Sequence, residues 1–476
     1  MNAPATQLTE RLRSIVGPAG LVTGADERSP FLSDHRRLYH GEALAIVQPR
    51  TTAEVSAVLA LCDAQRIGVV PHGGNTGYCG GATPDESGRQ LVLSLARLNR
   101  IRRVDPANDC LTAEAGCLLA DVQRAATEAQ RYFPLSLGSQ GSCQIGGNLA
   151  TNAGGLNVLR YGMTRDLVLG LEVVLADGSV LETLSALRKD NTGYDVKSLF
   201  LGSEGTLGVI TAASLRLFPP LRGHATALVA LPDVAAAVAL LTRLREVSSE
   251  RVSSFELIPR VALELTVRHI PGVRDPLERP CPWYVLCELA SSRAADPLEA
   301  LLEEALEGAL RDGLVLDAAL ARGEREREAL WRLRESIPEA QRREGPGLKH
   351  DVSVPVGALS GFVARGAPLI ARLVPDGYLV AYGHVGDGNL HFNVSAAPDA
   401  DATRFLARGE EVRRAVHDLV HELGGSFSAE HGVGRLKVGE LERYATPTEL
   451  ALMRALKHAF DPHGIMNPGK VLRGQA

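Results

Sequence analysis

The sequence predicts a protein of mixed helices and strands built from more than one domain. Three observations carry this. The chain has 476 residues, enough for two or three domains. Strand-like and helix-like stretches succeed one another along its length without one regular βαβ repeat. Pro219-Pro220 then divides a glycine-loop-rich first part from a second part in which strands and helices alternate.

Thr51 to Asp63 has helical spacing of Val55, Val58, Leu59 and Leu61-Cys62, with Thr51 or Thr52 as N-cap. Arg66 to Pro71 reads as a strand. It enters a first glycine loop, Pro71-His72-Gly73-Gly74-Asn75-Thr76-Gly77-Tyr78-Cys79-Gly80-Gly81. Such a loop turns backbone N–H groups toward an anion, although a plain glycine-rich surface loop has the same composition. A dinucleotide fingerprint needs GxGxxG leading straight into a helix. Here a polar turn and the strand Leu91 to Ser94 follow, which disfavours NAD. Leu111 to Gly116 reads as a strand and Leu119 to Gln130 as a helix. A second loop, Pro134 to Asn148, continues through Thr151-Asn152-Ala153-Gly154-Gly155. Leu167 to Leu181 reads as a hairpin turning at Asp177-Gly178. A third loop, Leu201 to Gly208, leads into a strand Val209 to Leu217. Two glycine loops without P-loop spacing suit a pyrophosphate with a ring system beside it.

Beyond Pro220, strand Ala225 to Leu231, helix Val234 to Leu244, strand Phe255 to Ile258, helix Arg260 to Arg268, strand Trp283 to Leu289 and helix Pro297 to Arg311 fit a split βαβ layer with helices on one face. Glu324 to Glu344 is charge-dense, mostly a solvated helix face. Arg334 shares the apolar side with Leu330, Trp331 and Ile337. A cation there must be neutralised, by a substrate carboxylate or by an internal ion pair. Tyr378 to Gly383 and Leu390 to Ser395 read as a hairpin around Gly386-Asp387-Gly388-Asn389. His391 and Asn393 share a face of the returning strand, and His384 lies across the hairpin. Asp401 to Leu423 reads as one long amphipathic helix stopped by Gly424-Gly425, delivering Ser428-Ala429-Glu430-His431-Gly432-Val433-Gly434. His384, His391 and Glu430 suit zinc or a similar first-row ion with one position open, and His431 is left as a base. Structural or surface histidines are the alternative.

Composition narrows the function. A net charge of -5, from 51 basic and 56 acidic residues, argues against a nucleic-acid binder. No run of about 18 apolar residues stands out, so no transmembrane segment is expected. The first residues lack an apolar signal core. Seven cysteines without close pairing fit a reducing, cytoplasmic setting.

The loops above, with Arg188-Lys189-Asp190-Asn191-Thr192-Gly193-Tyr194-Asp195 and Gly202-Ser203-Glu204-Gly205-Thr206-Leu207-Gly208, resemble the vanillyl-alcohol-oxidase type flavoproteins. Within these the chain is similar to the D-2-hydroxyacid dehydrogenases, over roughly residues 40 to 472. The resemblance implies an α+β fold with an N-terminal helical segment (1–37), a two-subdomain FAD-binding domain (38–219), a ferredoxin-like, split βαβ substrate-binding domain (220–425) and a C-terminal segment returning to the flavin (426–476). FAD contacts would come from Pro71, Gly73, Gly74, Asn75, Thr76, Gly77, Gly80 and Gly81. In the second loop they would come from Ser136, Gly138, Ser139, Gly141, Ser142, Gly146, Asn148, Thr151, Asn152 and Gly155. Glu204, Gly205, Gly208, Val209, Ile210 and Asn467 complete the set. Some relatives attach flavin through a histidine after two glycines. Here Asn75 follows Gly73-Gly74, so the FAD is expected to be non-covalent, with Cys143 as the other conceivable attachment point. By the same resemblance His384, His391 and Glu430 bind zinc, His431 is the general base, and Arg334, Lys349, Asn393 and His431 contact substrate. The implied reaction is oxidation of a D-2-hydroxyacid, D-2-hydroxyglutarate first, with hydride transfer to flavin N5. D-lactate, D-malate and glycolate are the alternatives, because Pro338 replaces a hydroxyl residue common in the hydroxyglutarate enzymes. The implied electron acceptor is an electron-transfer flavoprotein or a quinone, and the oligomeric option is a homodimer.

Overall fold

The computed structural model describes residues 3–474, which divide into two compact units. The first runs to Gly155 and adds Gly162–Pro220 and the chain from Glu430 onward. The second consists of Leu156–Tyr161 and Leu221–Ala429.

In the first unit, Val69–His72 and Ala45–Val47 each pair in parallel with Leu91–Ser94, and Leu21–Val22 joins antiparallel at the edge. The helix Thr52–Gln65 starts where its cap predicts: the Thr51 hydroxyl accepts from the Glu54 N–H at 3.1 Å. Val55, Val58 and Leu59 bury its apolar stripe, and Leu8 and Leu12 of the N-terminal helix Ala3–Val16 join the same core. A second, five-stranded antiparallel sheet is ordered Ile101–Asp105, Cys110–Glu114, Val209–Arg216, Val168–Val174, Val180–Thr183. The C-terminal chain returns along the first sheet, where Met466 bridges Val69 and Asn467 N–H donates to Val69 O at 2.8 Å. The expected loop at 134–155 is partly helical, with a short helix at Ile145–Ala150.

The second unit is built on one sheet of eight strands. Asp317–Leu320, Gly223–Leu231, Trp283–Ser291 and Val252–Pro259 lie side by side in that order, the 4-1-3-2 arrangement of a split βαβ layer. Gly377–His384 and Asn389–Ala396 extend it, and both Gly347–Leu348 and Asp351–Ser353 pair with Asn389–Ala396. Helices cover both faces, not one as the alternation suggests. Ala227, Val229, Phe255, Leu257 and Val285 pack with helices Val234–Ser248 and Leu298–Arg311. The alternate residues Leu228, Ala230, Ile258, Tyr284 and Leu286 pack with Arg260–His269, Glu324–Glu335 and Ile337–Glu344. A strand covered on both sides must be apolar at nearly every position, and Val252–Pro259 is buried throughout.

Two further departures have local causes. The expected helix over 401–423 is two helices, Ala402–Ala407 and Gly409–Glu422, interrupted at Arg408, whose guanidinium pairs with Asp376. Val356–Leu373 is an 18-residue helical stretch of mean hydropathy 1.2, the one such stretch among the described residues that could span a membrane by length and composition. Arg365 and Arg372 interrupt its sequence, which hides it from a search for apolar runs. Phe362, Val363, Gly366 and Ile370 are buried while both arginines are exposed, the pattern of a helix packed on a core.

Candidate active site

In the first unit the glycine loops surround a cavity. It is lined by Pro71, Gly73, Gly74, Asn75, Thr76, Gly77, Gly80 and Gly81, by Gly146, Asn148 and Thr151, and by Glu204, Gly205, Gly208, Val209 and Ile210. Sixteen of the expected flavin contacts therefore meet at one place. Ser136, Gly138, Ser139, Gly141, Ser142, Asn152, Gly155 and Asn467 are not in the lining. Gly138, Gly141 and Ser142 are exposed, and Asn152 is turned away to accept the Arg165 N–H at 2.9 Å. The second loop reaches the cavity instead through its helical part, with Gln144 and Gly147 added to the expected set. Asn75 has another task, since its amide donates to Ser33 O (2.8 Å) and Pro30 O (3.2 Å) and ties the N-terminal segment to the loop.

Buried polar atoms without protein partners mark the cavity as a ligand site. Both ring nitrogens of His72 and Gln144 Oε1 are of this kind, and both residues line it. Burial pushes the His72 imidazole down to about 4, with the adjoining Gly73 backbone opposing only in part. Asn467 Oδ1 is also unpaired, while its Nδ2 donates to Glu204 O (2.7 Å) and Gly81 O (3.0 Å). A polar, elongated ligand offering donors and acceptors suits this arrangement, so the residues present fit FAD. Cys143 is buried and outside the lining, accepting from Asn148 Nδ2 at 3.6 Å; none of the seven cysteines is in a disulfide.

The Glu430-His431-Gly432-Val433-Gly434 loop belongs to this same unit, and His431 lines the cavity. Glu204 fixes it. One carboxylate oxygen accepts the Val433 N–H at 2.7 Å and the other the Gly434 N–H at 2.8 Å. Burial pushes the Glu204 carboxyl up, against the pull of these two amides. The glycines are required by closeness. A Cβ on Gly434 would lie 2.3 Å from Cys79 O, and one on Gly432 would lie 2.7 Å from Glu204 Oε1; both residues have positive φ, +51° and +73°. The His431 ring packs on Tyr78 at 4.6 Å between centroids, and its Nε2 lies 3.8 Å from Glu430 Oε1.

The second unit holds the other candidates. His384 ends one strand of the hairpin and His391 lies on the other, where Tyr382 pairs with His391. The two rings lie 5.6 Å apart between centroids. Both histidines are near other acids. His391 Nδ1 is 3.9 Å from Asp351 Oδ1, and His384 Nδ1 is 2.7 Å from Glu256 Oε1. Two imidazoles on one face, one of them held at Nδ1 by a carboxylate, is a donor set that fits a first-row metal ion. Arg334 takes the internal route: its Nε donates to Glu256 Oε2 at 2.8 Å, its Nη2 lies 2.7 Å from the same oxygen in an ion pair, and its guanidinium lies 5.0 Å from the Tyr382 ring centroid. Burial alone would raise the Glu256 carboxyl; His384 and Arg334 outweigh it and hold it down at about 2. Asn393 is buried between His350 N–H, which donates to its Oδ1 (3.1 Å), and Gln341 Oε1, which accepts from its Nδ2 (3.1 Å). Lys349 is exposed, just before the strand Asp351–Ser353. Pro338 stands in the first turn of Ile337–Glu344 and offers no donor.

Sequence reasoning missed Glu256, Asp351, Glu204's latch and His72. Glu256 had one visible signal, a single acid in the otherwise uncharged run 252–259. Comparison with known proteins places these features in a family. Residues 43–184 match an FAD binding domain, and residues 222–471 match the C-terminal domain of FAD linked oxidases. The chain is 40% identical to a D-2-hydroxyglutarate dehydrogenase of Xanthomonas citri pv. viticola, covering 97% of this chain and 96% of that one. It is 42% identical to the mitochondrial D-2-hydroxyglutarate dehydrogenase of Bos taurus (96% and 82% covered) and 38% identical to that of Arabidopsis thaliana (97% and 80%). Among solved structures, p-cresol methylhydroxylase with substrate bound superposes with a TM-score of 0.78 at 16% identity, over 99% of this chain and 98% of that one. The 4-ethylphenol oxidase of Gulosibacter chungangensis gives 0.73 at 16%, over 100% and 98%. Both share the vanillyl-alcohol-oxidase type fold. The cytoplasmic expectation does not stand, because relatives from Arabidopsis thaliana, Bos taurus and Rattus norvegicus are named mitochondrial. Free thiols report a reducing setting and do not single out the cytosol.

Proposed function

This chain belongs to the FAD-linked oxidase family, in the group of the D-2-hydroxyglutarate dehydrogenases, and is an FAD-dependent oxidoreductase of D-2-hydroxyacids; from there we propose that it converts D-2-hydroxyglutarate to 2-oxoglutarate with the help of a divalent metal, zinc or a similar ion. The single observation that carries the metal reading is the His384–His391 pair on one face of the hairpin, with His384 Nδ1 engaged by Glu256.

FAD, when bound, supplies an acceptor at N5 for the C2 hydride, and the metal supplies Lewis acidity at the C2 hydroxyl. His384, His391 and Glu430 would hold that metal. His431 takes the hydroxyl proton, so that C2–H and O–H are lost together as hydride and proton and the C2 carbonyl forms. Lys349 binds a substrate carboxylate as a point charge. Arg334 contributes through the N–H groups that Glu256 leaves over, since a guanidinium has five, and Glu256 accepts the one on Nε and lies against Nη2. Asn393 positions the substrate. The cavity residues from Gly73 to Gly81 and from Gly146 to Thr151 hold the flavin without a covalent bond. Electrons would leave to an electron-transfer flavoprotein or a quinone, and the protein would act as a homodimer. Pro338 supports a second reading, D-lactate, D-malate or glycolate as substrate, because the place of a hydroxyl donor is taken by a ring that has none.

The test separates metal from base. Glu430→Ala should lose bound metal and activity together. His431→Ala should keep metal and FAD yet reduce flavin roughly 10²–10⁴-fold more slowly, the usual worth of a general base. Elemental analysis with single-turnover flavin bleaching reads both, and the reverse pattern would exchange the two roles.

A further inference from the structure

Glu256 is buried to 1% exposure in the middle of strand Val252–Pro259, directly opposite His384 in the register of the sheet. Each of its oxygens has a different customer. Oε1 lies 2.7 Å from His384 Nδ1, and Oε2 accepts from Arg334 Nε (2.8 Å) and forms an ion pair with its Nη2 (2.7 Å). We propose that Glu256 is a positioning residue that joins the metal-binding edge of the hairpin to the acid-binding arginine, fixing the tautomer of His384 and the plane of Arg334 with one carboxylate. This rests on the metal reading above and adds to it.

The chemistry is specific. An ionised carboxylate can only accept hydrogen bonds, so the His384 proton must sit on Nδ1, which leaves the Nε2 lone pair for a metal. The other oxygen of the same carboxylate holds Arg334, accepting from Nε with Nη2 close beside it, which restrains the guanidinium.

The simpler account, that Glu256 only pins a helix to the sheet, has an internal control. Glu288 stands on the neighbouring strand and the same face. It accepts from Arg327, seven residues before Arg334 on the same helix, and from Thr226 and Trp331. Glu288 therefore pins the helix too, and none of these three partners is a candidate metal or substrate residue. If pinning were the whole role, the two acids would be equivalent toward metal.

The experiment titrates zinc into metal-stripped, FAD-loaded protein, with cobalt as an optical probe of the ligand field. In Glu256→Gln the amide has one acceptor. If that oxygen faces Arg334, the NH₂ group donates to His384 Nδ1 and forces the ring proton onto Nε2; if it faces His384, the NH₂ group meets the guanidinium. Zinc affinity should fall roughly 10–100-fold, the range for losing such a partner, with an altered cobalt spectrum. Glu288→Gln should bind zinc as the parent does. Should Glu256→Gln not be recovered folded, Glu256→Gln/Arg334→Met removes the unpaired cation, and its affinity should still fall relative to Arg334→Met alone. A parent that binds zinc and a Glu256 variant that binds it equally well overturn the inference and leave the functional reading intact. Equal losses in the Glu256 and Glu288 variants also overturn it. A parent that takes up no zinc overturns the functional reading and this inference with it.

Discussion

Glu204→Gln tests what holds the loop that carries His431. The wild-type carboxylate accepts two backbone N–H groups, from Val433 at 2.7 Å and Gly434 at 2.8 Å, one on each oxygen. Hydrogen bonds to a charged group are worth about 1.5–3 kcal/mol each. Two on one residue do not add fully, so about 2–4 kcal/mol of loop docking is a reasonable reading. Glutamine keeps one acceptor and turns an NH₂ group toward the other amide, donor against donor. His431 sits two residues before Val433, so loosening this latch misplaces it. Misplacement of about 1 Å can cost on the order of 10²-fold in rate. The expectation is flavin reduction slowed by about 10–10²-fold, with FAD per chain kept, because many other residues line the cavity. Anaerobic stopped-flow gives the rate, absorbance gives the FAD content, and hydrogen exchange reports the Val433 and Gly434 amides. A parent-like rate with both amides still protected would refute the reasoning.

The remaining predictions follow the same contacts. Gly434→Ala places a methyl 2.3 Å from Cys79 O at φ +51°; strain and overpacking together should cost about 2–4 kcal/mol, read as lower thermal stability and lost activity, while Ala at Gly138, which faces open space, should be tolerated. Glu288 is held down at about 2, where burial opposes and His224 and Arg327 prevail. Its folded value lies below the unfolded one, so its contribution is complete above about pH 4.5 and is lost as pH falls toward 2. Glu288→Gln should flatten that part of the profile of unfolding free energy against pH, measured with denaturant, by about 3 kcal/mol at most. Lys349→Ala should raise KM for a diacid more than for a monoacid, with a loss of about 1.5–3 kcal/mol read from kcat/KM.

Much of this was legible in the sequence where the signal is local. The Thr51 cap, the strand Leu91–Ser94 and the hairpin that carries His384 and His391 follow from periodicity and turn residues. The helix at Ile145–Ala150 did not, since Gly146 and Gly147 disguise it as loop. Glu256 was out of reach for a different reason: its partners stand 78 and 128 residues away, and only the assembled sheet brings them together. Arg334 shows how a correct inference can stop short. Its burial demanded a counter-charge, but whether that was substrate or protein depended on a strand across the sheet. Arg408 is similar: the helix is interrupted there and its guanidinium pairs with a distant Asp376, while the sequence itself reads straight through.

The most direct test of the account is anaerobic reduction of the purified, metal-replete flavoprotein by single hydroxyacids, followed in the visible flavin band. D-2-hydroxyglutarate should bleach the band and yield 2-oxoglutarate in proportion to the flavin reduced, its L-enantiomer should leave the band unchanged, and D-lactate should act with lower kcat/KM. A band that D-2-hydroxyglutarate leaves unchanged, or a kcat/KM that favours D-lactate, would contradict the account.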